Sequence, residues 1–193
     1  MEMTPAPQMR VSEAVLLFVD LQEGLVQSSR TNPPGVIRKA CAAAVTIAGA
    51  ADLPMFASVI ELMPQTPPAV LAELADAVSR QRTFLRRTIG AFEDEALSRA
   101  VRDVGVRTIV LGGVASEVAV LHTASQAVDA GFQVHVLVDA SGGLSERTEQ
   151  AAFRQIERAG GVLTSVASFG SSLVKGGSPS QTQTILGALR GLL

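Results

Sequence analysis

The chain has 193 residues, 47% of them apolar, with a formal net charge of −2, seven Phe and neither Trp nor Tyr. That length fits one domain with a sizeable core packed by Val, Leu, Ile and Ala, and the charge excludes the clustered Lys and Arg of a nucleic-acid partner. The single cysteine, Cys41, excludes an intramolecular disulfide or a cysteine metal cluster, and no run reaches the roughly 20 apolar residues that span a membrane.

The opening MEMTPAPQMR has no apolar core of a signal peptide, so a soluble cytoplasmic protein is expected. AVLLFVD (14–20) is a continuous apolar run, the mark of a strand buried on both faces. Residues 34–52 follow as a helix, with Val36, Ile37, Ala40, Cys41, Ala44 and Ala48 on one stripe and Cys41 as a small core residue. PMFASVI (54–60) is the second strand, and a Pro-rich loop (64–68) leads into a helix near 69–79. TFLRR (83–87) is a short strand, and 93–105 is an amphipathic helix with acid at its start and Gly at its end. Strands at 107–113, 132–140 and 161–168 alternate with helices at 116–130 and 145–159, the last capped by Ser145. KGGSPSQTQ (175–183) reads as a flexible linker between a domain over 1–174 and a short apolar helix over 184–193. That helix is too short to stand alone and must dock on its own domain or on a neighbouring subunit.

This β-α-β-α rhythm predicts an α/β fold of three layers, with a parallel sheet between two layers of helices. In such sheets the ligand crevice lies beyond the carboxyl ends of the strands. Asp20 closes an apolar strand there, which suits it either to general acid or base work or to capping a loop. Arg86 and Arg87 end another strand; a guanidinium orients an anion but cannot act as a base. Ser116 is the expected N-cap of the next helix, which makes Ala119 its third residue, at a positive helix end with unpaired N–H groups. A thiol at that place would have a lowered pKa beside an oxyanion hole; a methyl does no covalent work. Glu117 suits the helix dipole, and Asp139 reads as a turn residue in DASGG. His122 and His135 have no second ligand at metal spacing, so no metal is expected. GGVAS lacks the dinucleotide fingerprint and follows a late strand, so no nicotinamide cofactor is expected either.

Taken together, LLFVDLQEGLV, RRTIGAFEDEAL and LGGVASEVAVLHTASQAVDAGFQVHVLVDASG resemble the isochorismatase-like cysteine hydrolase superfamily, nearest its YcaC-like branch. The resemblance runs from about residue 12 to about residue 172. It implies a six-stranded parallel, Rossmann-like sheet, assembly as tetramers or octamers, and a catalytic Asp, Lys and Cys. Asp20 matches the aspartate. Arg86 falls at the lysine position, or Arg87 if the loop shifts by one, and Ala119 stands where the nucleophilic cysteine would be. Val114–Ala115 matches a cis peptide that aims the Ala115 and Ala119 N–H groups at an oxyanion. By the same resemblance Gln22, Arg87, Phe92, Val114, Ala115 and Ser116 are expected to bind a small-molecule substrate. The zinc set of nicotinamidase relatives has no counterpart in ASVIELMPQTPP.

Three readings follow for position 119. The chain is a hydrolase of small amides, esters or related C–N and C–O substrates whose nucleophile has been replaced, naturally or by design. Alternatively, it uses Asp20 alone as an acid on an isochorismate-like enol ether, or it is a non-catalytic binding or scaffold protein. In each case the chain as it stands forms no acyl-enzyme.

Overall fold

The computed structural model describes residues 14–63 and 66–193. Six strands make one sheet: β1 (Ala14–Val19), β2 (Met55–Val59), β3 (Thr83–Leu85), β4 (Thr108–Gly113), β5 (Gln133–Leu137) and β6 (Val162–Thr164). They lie in the order β3-β2-β1-β4-β5-β6, and every pairing is parallel. The expected six-stranded α/β architecture is therefore present. β1 is buried along its whole length because both of its faces are covered. Ala14, Leu16 and Phe18 enter one core with Ile37, Cys41 and Phe169, whereas Val15, Leu17 and Val19 enter the other with Leu97, Val120 and Phe153.

The helices are α1 (Glu23–Val26), α2 (Pro34–Ala50), α3 (Ala72–Ala75), α4 (Glu95–Asp103), α5 (Leu121–Asp129), α6 (Glu146–Ala159), α7 (Val166–Val174) and α8 (Pro179–Leu192). α2, α7 and α8 cover the first face, and α4, α5 and α6 the second. Side-chain caps fix several starts: Asp94 accepts from the Leu97 N–H at 3.0 Å, and Ser145 from the Thr148 N–H at 3.2 Å.

Four expectations need correction, the first being Val36, which is 44% exposed and stands off the buried stripe of α2. The run 161–168 is a strand only to Thr164, because Ser165 caps α7 through the Ser168 N–H and the Asp139 carboxylate accepts the Val166 N–H at 3.0 Å. The helix near 69–79 shrinks to α3, since the Leu71 N–H is spent on the Leu21 carbonyl at 2.8 Å. Most of the Pro-rich loop is described, but Pro64 and Gln65 lie outside the described residues, as does the whole MEMTPAPQMR start. The segment 175–183 is not a linker throughout. Ser178 and Gln181 form a capping box with Pro179 in the first turn, so α8 begins five residues early. Its Ile185 is buried in the first core and Leu189 packs there too, so this helix docks on its own domain.

β1 has β2 on one side and β4 on the other, so the connections leave it in opposite directions at its C-terminal end. Such a switch point opens a crevice between the two neighbouring strands. The strands approach closely there: the Val114 N–H donates to the Val19 carbonyl at 3.1 Å. A Cβ on Gly113 would lie 2.3 Å from that same oxygen. Gly113→Ala is therefore expected to lower stability by about 3 kcal/mol, because only backbone is available to yield. Gly187, inside α8, has open space around it. Gly187→Ala should raise stability by about 0.5–1 kcal/mol. Urea denaturation of both variants checks the pair of opposite signs.

Candidate active site

Asp20 follows β1 directly with φ +56°, a left-handed conformation that Asp tolerates better than most residues. Its N–H donates to the Ser58 carbonyl at 3.0 Å, and its own carbonyl accepts from the Gln22 N–H at 2.8 Å. The chain thus turns sharply out of the sheet at the switch point. Arg86, one residue after β3, is held to β2 through its N–H on the Val59 carbonyl at 3.0 Å.

The two side chains meet in an ion pair, with Arg86 Nη2 donating to Asp20 Oδ2. Asp20 and Arg86 are 3% and 4% exposed, so the pair is withdrawn from water. The guanidinium is further committed: Nη1 donates to the Thr88 carbonyl, and Nε to Ser58 Oγ at 3.4 Å. Asp20 Oδ1, by contrast, is buried without a hydrogen-bond partner. Burial pushes the Asp20 carboxyl up, Arg86 pulls it partway back by charge and hydrogen bond, and it settles at about 6 against an ordinary 3.8.

Around the pair opens a crevice of about 450 Å³, a size suited to a small molecule. Asp20 and Arg86 supply its charged wall, Ile60, Leu85, Ile89 and Val118 its aliphatic walls, and Glu61 and Arg87 two further charges. It is Arg86 that pairs with Asp20, while Arg87 is exposed. A larger hollow nearby, about 650 Å³, is lined by apolar side chains such as Val59, Val70 and Val78, with Thr83 its one polar residue. It offers nothing to move a proton.

The segment 116–120 differs from expectation. Ser116 does not cap the helix: Ala115 holds that position, and Ser116 Oγ donates to Glu149 Oε1 at 2.8 Å. Ala119 is then the fourth residue, inside a π-helical turn over Ser116–Val120 that runs on into α5. The Ala115 carbonyl, which an α-helix would give to residue 119, accepts instead from Val118 at 3.1 Å and Val120 at 3.3 Å. The Val114–Ala115 peptide is cis. Ala119 is 2% exposed, and its neighbour Val118 shares the crevice with Asp20.

Three residues expected at the substrate have other work. Gln22 is buried and locked to Ile60, donating to its carbonyl at 2.9 Å and accepting from its N–H at 2.8 Å. Phe92 packs edge-on against Phe132 at 5.3 Å in the second core, under Arg102. Ser116 is fully buried on Glu149. Glu149, in the first turn of α6, also accepts from Thr31 Oγ1 at 3.1 Å, and burial raises its carboxyl. Glu117 accepts from the Leu144 N–H at 2.9 Å and Thr148 Oγ1 at 2.6 Å. His135 is buried in β5 with Nε2 unpartnered, and burial lowers its pKa. Among the described residues no three of His, Cys, Asp and Glu gather as a metal site would need.

The raised Asp20 carboxyl has a consequence for stability. The folded state holds this proton more tightly than the unfolded chain, so its contribution is fully present below 3.8 and is lost as pH rises through about 6. Between pH 4 and 7 the protein should lose about 2 kcal/mol relative to an Asp20→Asn variant, which has no such proton to lose. Chemical denaturation of both proteins across that range checks it; parallel pH curves would contradict the raised value.

Residues 14–168 match the isochorismatase domain. The probable hydrolase YcaC of Escherichia coli is 30% identical over 162 residues, covering 82% of this chain and 76% of that protein. The structure of YcaC from Pseudomonas aeruginosa with hexane-2,5-diol and covalent acrylamide superposes with a TM-score of 0.85 at 28% identity, covering 93% of this chain and 90% of that one. The YcaC structure from Escherichia coli, an octameric hydrolase of unknown specificity, shares the fold with a TM-score of 0.78 at 24% identity, covering 98% of this chain and all of the other. A domain match over most of its length, together with a relative this similar, shows that the chain belongs to the isochorismatase family of hydrolases and is YcaC-like within it.

Proposed function

We propose that this crevice hydrolyses a small amide, ester or related C–N or C–O substrate by proton transfer at Asp20, without a covalent intermediate. One observation carries the reading: a buried carboxyl titrating near 6, with one oxygen held by Arg86 and the other unpartnered. Such a group is substantially ionised at neutral pH, yet acidic enough to return its proton. With a methyl at 119, the attacking group is water. Its proton passes to Asp20 as its oxygen bonds the carbonyl carbon, and Asp20 gives that proton to the leaving nitrogen or oxygen as the old bond breaks. The N–H groups of Ala115 and Ala119 would hold the developing oxyanion. On an enol ether the order reverses: protonated Asp20 gives its proton to the vinyl carbon, water adds to the resulting oxocarbenium and returns a proton to Asp20, and the hemiketal collapses to a carbonyl as its C–O bond breaks and the alcohol leaves. Acrylamide and hexane-2,5-diol, held in the Pseudomonas structure, are of a size that a crevice of about 450 Å³ admits.

Ala119→Cys tests the scaffold. The variant should become reactive toward iodoacetamide and should turn over amides or esters about 10³-fold faster than the parent chain, because a triad nucleophile supplies most of the rate. No gain across a substrate panel would count against a hydrolase with a replaced nucleophile. Asp20→Asn should abolish turnover in either background. A binding role without turnover is the second reading, favoured by the methyl at 119; it requires ligand-dependent thermal stabilisation that Asp20→Asn leaves in place.

The same reading includes assembly as a homo-oligomer, a tetramer or octamer. Leu62, Met63, Leu85, Ile89 and Val118 are all exposed and line the crevice or the hollows beside it, a grouping typical of a contact surface. Light scattering should give a mass several times the 20.0 kDa of one chain; a monomer would end this part of the proposal.

A further inference from the structure

The Arg86 guanidinium grips the Thr88 carbonyl as well as Asp20. Where that carbonyl sits depends on the loop from Thr88 to Ala91. Two links fix this loop. Thr88 Oγ1 donates to the Gly90 carbonyl at 2.8 Å, closing the loop on itself. The Ala91 N–H donates to Thr123 Oγ1 at 2.8 Å, tying the loop to α5. Both Ala91 and Thr123 are fully buried, so water cannot replace that bond. Gly90 presses so closely on the same helix that a Cβ there would lie 2.1 Å from Gln126 Oε1.

Thr123 lies in α5, four residues beyond Ala119, and the π-helical turn that runs into this helix borders the crevice at Val118. We infer that Thr123 is a positioning residue: its hydroxyl holds the 88–91 loop in register with α5 and so sets where the Arg86 guanidinium rests on Asp20. One short path of hydrogen bonds thus links the helix carrying position 119 to the cation facing the carboxylate. The inference rests on the geometry of the ion pair, so its success or failure is separate from whether any substrate is turned over.

The test reads the Asp20 titration directly, by NMR of the side-chain carboxyl carbons in the intact protein. The charged groups facing Asp20 are Arg86 and, in the crevice wall, Glu61 and Arg87; the substitutions alter none of them. Thr123→Val keeps the shape and removes the acceptor. It should raise the Asp20 midpoint by about half a unit or more, because a displaced guanidinium pulls less on the carboxyl. Thr123→Ser restores the acceptor and should return the midpoint to within about 0.2 units of the parent. A folded Thr123→Val protein with an unmoved midpoint would overturn the inference, as would a Thr123→Ser protein that shifts equally. Should Thr123→Val fail to fold, Thr88→Val cuts the same path at a half-buried position. It is expected to shift Asp20 upward too, and an unmoved midpoint there would be equally fatal.

Discussion

The buried pair of Asp20 and Arg86 is the constraint around which the carboxyl end of the sheet is organised. Two charges withdrawn from water are tolerated only if each finds partners, and here three neighbouring strands supply them. β1 delivers Asp20, β2 delivers Ser58, and β3 leads into Arg86. The strand order places these three ends side by side. Arg86 is satisfied by a carboxylate, a hydroxyl and a carbonyl. Asp20 is satisfied on one oxygen only. The asymmetry separates the two partners: the guanidinium is tied in place, while the carboxyl keeps a free acceptor.

A second network supports the opposite wall. The chain entering the π-helical turn is fastened by Ser116, whose N–H donates to the Gly142 carbonyl at 2.9 Å and whose hydroxyl reaches Glu149. Glu149 in turn receives Thr31, and Thr31 Oγ1 accepts the Gly143 N–H at 2.8 Å. Glu117 ties the same turn to Leu144 and Thr148. Hydroxyl donors keep these carboxylates tolerable inside the protein, although burial still raises Glu149. Ser116, Glu149 and Gln22 therefore serve the site from behind it, which is why none of them lines the crevice.

How much of this was legible before the coordinates follows from the range of each interaction. Apolar runs such as AVLLFVD are local and disclosed the strands and their burial on both faces. The place of Asp20 at the end of such a run pointed to the crevice through a rule of topology. The capping box at Ser178 and Gln181 was equally local and readable, but the surrounding Gly and Ser made the stretch look like a linker. What the sequence could not show were partners far apart in the chain. Arg86 against Asp20 spans 66 positions and Ser116 to Glu149 spans 33. The resemblance put Arg86 at the lysine position with Arg87 as the alternative; the path of the chain after β3 separates a buried guanidinium from an exposed one. The π-helical turn escaped for a related reason, since no residue in SEVAV demands it.

Ala119 takes on a different meaning inside this frame. Its methyl belongs to the second core, with Val120, Leu97 and Phe92, so the position is filled by apolar contact. A methyl donates no hydrogen bond, and Asp20 Oδ1 stays unpartnered. Desolvation is the largest influence on Asp20, opposed by the charge and hydrogen bond of Arg86. Residue 119 thus belongs to the apolar packing of the second core, and only its neighbour Val118 reaches the crevice. A methyl at 119 supplies no nucleophile, and the ion pair with the loop that holds it is complete without one.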